Sequence, residues 1–255
     1  MGRLVVGLGR DDPRLRILGA VEAPGHPALG QDAGAVADGR PLGIPIRADL
    51  AAIVRREHVV VDFTGVPDVT VRHAALAVER GASLVVGTTG YDARQHEELG
   101  ALATRTRSVV SANFSVGVTV LTELVTLAAR LLDNAFEAEI VELHHHSKRD
   151  APSGTALALG RTIAAARRLD FDDAARLARE GHVGARPRDE IGIVALRAGD
   201  AVGDHTVLFG GPGERVELIH RAQSRECLAL GALRAARWVA NQRPGLYSMR
   251  DVLGL

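Results

Sequence analysis

The strongest constraint on the fold is an alternation in the first half of the chain. Short apolar runs rich in Val and Ile, each closed by turn residues, lie at Leu15–Glu22, His58–Phe63, Ser83–Gly87 and Ser108–Ala112. Between the later ones the spacing predicts helices over Pro67–Arg80, with Pro67 suited to a first turn, and over Ala93–Thr104. Apolar runs of this length read as strands buried on both faces. Strands alternating with helices imply right-handed βαβ units and a doubly wound parallel sheet. Ser115–Leu132 then reads as a longer helix with apolar positions at Val116, Val120, Leu124, Leu127 and Leu131.

The pattern changes after about residue 135. Glu137–His144 reads as a strand and Ser153–Leu169 as a helix that Ser153 can cap. Ile191–Ala198, His205–Phe209 and Arg215–His220 follow as strands with little helix between them, which implies a mixed or antiparallel sheet. Ser224–Asn241 closes the series as a helix that can return to the first sheet. The expected architecture is α/β: a Rossmann-like doubly wound parallel sheet plus a second α+β domain. Residues 1–114 with 225–255 are expected to form a dinucleotide-binding domain, and residues 115–224 a substrate-binding domain, the two sharing a cleft.

Lys+Arg and Asp+Glu both number 31, so no net field draws the chain to nucleic acid or to an anionic membrane. No apolar run reaches the ~18 residues of a spanning helix, and Cys227, the single cysteine, can form neither an intrachain disulfide nor a cysteine-based zinc site. A cytoplasmic enzyme or binding protein without nucleic-acid or membrane partners is expected.

Of the 31 basic residues only Lys148 is lysine. It lies in Val141-Glu-Leu-His-His-His-Ser-Lys-Arg-Asp-Ala-Pro-Ser-Gly-Thr155. A guanidinium effectively never releases its proton, whereas an ammonium can. The only lysine, placed beside His144, His145 and His146, therefore suggests acid–base chemistry. Ser153-Gly154-Thr155 opens a helix whose free N–H groups suit a carboxylate. The plain alternative is a surface loop. A metal site has no suitably spaced acid or cysteine to complete it, and none is expected.

Parallel sheets bind ligands beyond their strand carboxyl ends. Those ends here carry Glu22, Asp62-Phe63-Thr64-Gly65, Gly87-Thr88-Thr89-Gly90 and Ala112-Asn113-Phe114. A strand-end acid suits the hydroxyls of an adenosine ribose, and Gly and Thr let a cofactor approach the backbone. Together these ends favour a dinucleotide site. Gly7-Leu8-Gly9 is not its phosphate loop, because no strand precedes it.

The segment Glu142–Ala156 resembles the signature of the dihydrodipicolinate reductase family, Glu-x-His-His-x-x-Lys-x-Asp-Ala-Pro-Ser-Gly-Thr-Ala. Asp62-Phe63-Thr64, Val86–Gly90, Ala112–Val118, Arg179–His182, Arg197–Asp200 and Met249–Leu253 resemble further family stretches in the same order. The resemblance implies hydride transfer from NAD(P)H to a cyclic imine left when 4-hydroxy-tetrahydrodipicolinate loses its hydroxyl, giving tetrahydrodipicolinate for lysine and diaminopimelate synthesis. It implies His144 as proton donor or acceptor and Lys148 as the acid that protonates the product. His145, Ser153, Gly154 and Thr155 would hold a dicarboxylate. Gly87, Thr88, Thr89, Ser111, Ala112, Asn113 and Phe114 would line the nicotinamide, and Glu22 the ribose. A homotetramer built through the second domain is also implied.

Three departures from the family pattern stand out. Met1-Gly2-Arg3 aligns with the last three residues of the family's Gly-rich loop, leaving Gly2 its only cofactor-loop glycine here. Met1 is thus expected to be an internal methionine of a longer protein whose first strand is central, so that its loss bares two sheet edges. Ala23 stands where an Arg often meets the 2′-phosphate of NADPH, which predicts a preference for NADH. Gly65 replaces another Arg, removing one expected cofactor contact. Two other functions fit less of the pattern: a non-catalytic scaffold of this family, and an oxidoreductase for a different imino or keto acid.

Overall fold

The structure is a computed structural model that describes residues 1–255, the side chain of Asp133 excepted. In chain order it contains α1 (Gly2–Arg10), β1 (Ala20–Val21), α2 (Ala33–Asp38), β2 (Ile46–Arg47), β3 (Val59–Asp62), α3 (Pro67–Arg80), β4 (Ser83–Val86), α4 (Ala93–Ala103), β5 (Arg107–Val110) and α5 (Val116–Leu131). There follow β6 (Glu137–His144), α6 (Gly154–Arg167), α7 (Phe171–Ala174), β7 (Ala175–Arg176), β8 (Ile191–Arg197), β9 (Gly203–Gly211), β10 (Glu214–Ala222), α8 (Glu226–Val239), β11 (Gly245–Tyr247) and α9 (Met249–Leu253). These pack as two units, Met1–Val116 with Glu226–Leu255, and Gly117–Arg225.

In the first unit β11, β5, β4 and β3 form one parallel sheet in that order. Alternation along β4 sends Val85 to one face, against Ala232, Ala235, Ala236 and Val239 of α8. Leu84 and Val86 go to the other, against Val71, Ala74 and Ala77 of α3 and Leu99 of α4. Helices thus cover both faces, as the alternating pattern predicts. α3 starts with Pro67 in its first turn and stops at Gly81, whose left-handed conformation (φ 69°) lets its N–H reach the carbonyls of Ala77 and Val78. Asp92 and Gln95 close a capping box at the start of α4.

One predicted strand shrinks. Of Leu15–Glu22 only Ala20 and Val21 are paired, with Ile46 and Arg47, in a two-stranded parallel sheet separate from the four-stranded one. Extended chain becomes strand only where a neighbour supplies ladder partners. Leu15 packs instead against Val5, Ala229 and Leu233.

The second unit is a five-stranded mixed sheet, order β10-β9-β6-β8-β7, with β6 parallel to β8 and antiparallel to β9. Ala138, Ile140, Ile191, Ile193, Val207 and Phe209 form a core with α5 and α6. α5 lies otherwise than its sequence suggests. Leu121, Val125 and Ala129 are in this core, while Val120, Leu124, Leu127 and Leu131 are exposed. The helix is apolar on more than one stripe, so periodicity alone does not select the buried one.

Candidate functional site

The chemistry of the second unit gathers at the end of β6. Alternation buries Glu142 and His144, two residues apart on the same side of the strand as Ala138 and Ile140. Glu142 is wholly inaccessible. Its Oε2 accepts the Nδ1–H of His144 (2.5 Å) and Oε1 accepts the backbone N–H of Ser153 (2.9 Å). Arg197, paired with His144 across β8 and β6, adds a bidentate contact at 2.9 and 3.1 Å and also donates to the Asp150 carbonyl. Burial alone would raise the Glu142 pKa, but hydrogen bonds from Arg197, His144 and Ser153 outweigh it and hold the group below the ordinary carboxylate range. One carboxylate therefore ties the strand, the 145–152 loop and the start of α6 together.

The Glu142 contact holds the His144 proton on Nδ1, so a neutral ring leaves Nε2 as a base. Nε2 makes no hydrogen bond among the described residues and lies over Gly203, where a Cβ would stand only 2.9 Å away. Any side chain at residue 203 would displace the ring. The three consecutive histidines part company: His144 pairs with Glu142, His145 Nδ1 lies 2.7 Å from Ser147 Oγ, and His146 donates to the Gly199 carbonyl (2.9 Å). Among the described residues no group of three or more His, Cys, Asp or Glu could hold a metal ion. Lys148 Nζ is held by both oxygens of Asp150, at 2.8 and 2.9 Å. Ser153 Oγ accepts the N–H of Ala156 (3.2 Å), capping α6, with Gly154 exposed and Thr155 partly so.

In the first unit the organising group is Asp62, 2% exposed at the carboxyl end of β3. It accepts the hydroxyls of Thr64 (3.2 Å), Thr70 (2.9 Å) and Thr88 (2.9 Å), the Thr64 N–H (3.1 Å) and His73 Nδ1–H (2.7 Å). Thr88 accordingly points inward, and its hydroxyl also takes the Gly65 N–H (3.1 Å). Thr89 and Gly90 are exposed. Gly87 passes so close to Phe63 that a Cβ there would lie 2.1 Å from the ring. Ser111 Oγ donates to the Asn113 carbonyl (2.7 Å), Ala112 is exposed, and the Phe114 side chain is buried edge-to-face on Phe63 (5.6 Å). Glu22 is exposed just beyond β1, its Oε1 accepting the Ala23 N–H (2.8 Å), and Gly2 opens α1 without a side-chain cap.

Of the sequence-predicted residues, His144 and Ser153 are thus joined through Glu142, and Lys148 and His145 lie on the loop between them. Thr88 and Phe114 turn their side chains into the core. Sequence reasoning assigned no role to Glu142, Arg197, His205 or His73, and placed Asp62 only among the strand ends. The spacing of Glu142 and His144 on a strand was a usable signal. Arg197 and His205 reach the site only through sheet register.

Two family models match the chain: dihydrodipicolinate reductase, N-terminus, over residues 1–114, and dihydrodipicolinate reductase, C-terminus, over residues 117–253. The 4-hydroxy-tetrahydrodipicolinate reductase of Anaeromyxobacter dehalogenans is 49% identical over 255 residues, covering 100% of this chain and 94% of that protein. The enzyme of the same name from Halorhodospira halophila is 47% identical, covering 100% and 95%. Among solved structures, a dipicolinate-bound dihydrodipicolinate reductase from Paenisporosarcina sp. TG-14 shares the fold (TM-score 0.72, 23% identity, 97% of this chain and 92% of that one). The chain belongs to the dihydrodipicolinate reductase family, NAD(P)H-dependent oxidoreductases that reduce 4-hydroxy-tetrahydrodipicolinate in lysine and diaminopimelate biosynthesis.

Proposed function

We propose that the dicarboxylate substrate is bound and protonated at the end of β6 and the start of α6. The observation that carries this reading is the buried Glu142 carboxylate, which orients His144 Nδ1–H and the Ser153 backbone at once. Ser153, Gly154 and Thr155 present the first turn of α6 to one carboxylate of the substrate, and His145 meets the other. His144 exchanges a proton with the substrate through Nε2. Lys148, held by Asp150, supplies the proton that the product retains.

The carboxyl ends of β3, β4 and β5 fit a nicotinamide nucleotide. Gly87, Thr89, Gly90 and Ala112 bring backbone to the surface there, on loops stiffened by Asp62 and by the contact between Gly87 and Phe63. When bound, that nucleotide supplies the hydride. In this reading residues 1–114 with 225–255 form the nucleotide-binding domain and residues 115–224 the substrate-binding and oligomerisation domain. Thr88 contributes backbone rather than hydroxyl, Ser111 and Asn113 shape the loop, and Phe114 supports it from the core. Gly2, at the uncapped start of α1, faces the phosphates. Glu22 bonds the ribose, and its charge beside Ala23 disfavours a 2′-phosphate, so NADH is the preferred cofactor. A cytoplasmic homotetramer completes the proposal. No helix among the described residues is long and apolar enough to cross a membrane.

The test is Lys148→Arg assayed with substrate made in situ by the preceding synthase. Charge is retained and proton donation lost, so kcat should fall at least about 100-fold while dipicolinate affinity changes little. Unchanged turnover would refute the role of Lys148. The same assay should give a higher kcat/KM with NADH than with NADPH, and the reverse order would overturn the cofactor preference.

A further inference from the structure

His205 is a buried titratable group that the proposed chemistry leaves unused. It lies on β9, opposite Glu142 on β6 and opposite His220 on β10, and is 4% exposed. Its ring stands edge-on to His144 with centroids 5.4 Å apart. Nε2 is 3.1 Å from Ser153 Oγ, whereas Nδ1 is buried without a hydrogen-bond partner among the described residues. Burial lowers its pKa to about 4, so the ring is neutral and carries one proton at neutral pH.

The position of that proton decides what Ser153 can do. On Nδ1 it would be a buried donor with no partner among the described residues, whereas Ser153 Oγ stands within reach of Nε2 as an acceptor. On Nε2 it is donated to Ser153 Oγ. That oxygen has two lone pairs, and the Ala156 N–H already occupies one. With the second taken by His205, the remaining capacity of Ser153 is its O–H proton.

We infer that His205 is a positioning residue for substrate recognition, donating Nε2–H to Ser153 so that the serine hydroxyl becomes a dedicated donor to a substrate carboxylate. The inference rests on the proposal that Ser153 meets such a carboxylate. A hydroxyl able only to donate suits an anion, which only accepts, and discriminates against groups that present a proton.

Two measurements test it. The first is the tautomer in the unliganded wild-type chain, read from two-bond 1H–15N correlations of the ring. The Nε2–H pattern is expected, and an Nδ1–H pattern would overturn the inference whatever the variants do. The second compares His205→Leu, His205→Gln and Ser153→Ala by dipicolinate calorimetry and by steady-state kinetics. His205→Leu should weaken dipicolinate binding and raise substrate KM about tenfold, the value of one hydrogen bond, with NADH KM unchanged and kcat within about threefold. His205→Gln places an amide donor near Nε2 and should restore most of the loss. If Ser153→Ala weakens binding and His205→Leu does not, the inference alone falls. If Ser153→Ala leaves binding unchanged, the placement of the carboxylate falls, and the inference with it.

Discussion

At the scale of single residues, the proposed substrate site is governed by two buried groups of opposite behaviour. Glu142 stays ionised because Arg197, His144 and the Ser153 N–H offset its burial. His205 has no such partner and stays neutral, its pKa lowered from 6.5 to about 4 by burial. That difference makes stability depend on pH with a definite sign. Between those values the unfolded chain binds the proton and the folded chain does not. Stability is therefore complete above about pH 6.5 and declines as pH falls toward 4. At about pH 5 the loss from this one residue should be about 2 kcal/mol, with His220, whose pKa burial also lowers, adding to it. Urea unfolding at about pH 7.5 and pH 5 should show a smaller difference for His205→Leu than for the wild type. An equal difference would show that His205 does not carry the effect.

At the scale of elements, what could be read from sequence was what depends on local period and local breaks. α3 spans the expected Pro67–Arg80 with Pro67 in its first turn, and β6 runs over Glu137–His144 as its pattern predicts. Two errors have non-local causes. Leu15–Glu22 has strand composition, but only Ala20 and Val21 find ladder partners. On α5 two apolar stripes compete, and the one that packs is selected by the sheet beneath it. The site divides in the same way. The signature residues are contiguous and legible, whereas Arg197 and His205 join them across strands. Asp62 falls between these cases: its place at a strand end was visible, but its hold on α3 and on the loop after β4 was not. That hold predicts a selective defect. Asp62→Asn should raise the KM for NADH about tenfold, the value of one to two hydrogen bonds, and leave calorimetric dipicolinate affinity unchanged. An equal loss of both would refute a role confined to the proposed nucleotide loops.

At the scale of the whole molecule, the five-stranded sheet covers only one of its faces with α5 and α6. The other presents Val194, Leu196 and Ile219, which are 37%, 46% and 45% exposed, beside Val141, Leu143 and Leu208. Exposed apolar side chains grouped on one sheet face suit association with further copies, which supports the proposed tetramer. Leu196→Glu should yield a smaller species in size-exclusion chromatography with light scattering, and an intact tetramer would place the interface elsewhere. The order of the chain has a further consequence, for synthesis. Residues 117–225 are one uninterrupted stretch, whereas the first unit draws Ala229, Ala232, Leu233, Ala235, Ala236 and Val239 from α8, which comes after them. The part translated second can thus fold while the part translated first still waits for its last helix, a delay of roughly 5–20 s at ordinary elongation rates. Ribosome-arrested chains ending just before α8 emerges should resist protease over residues 117–225 and be cut within residues 1–116. During that interval the unfinished parallel sheet is the aggregation-prone species that a chaperone would encounter.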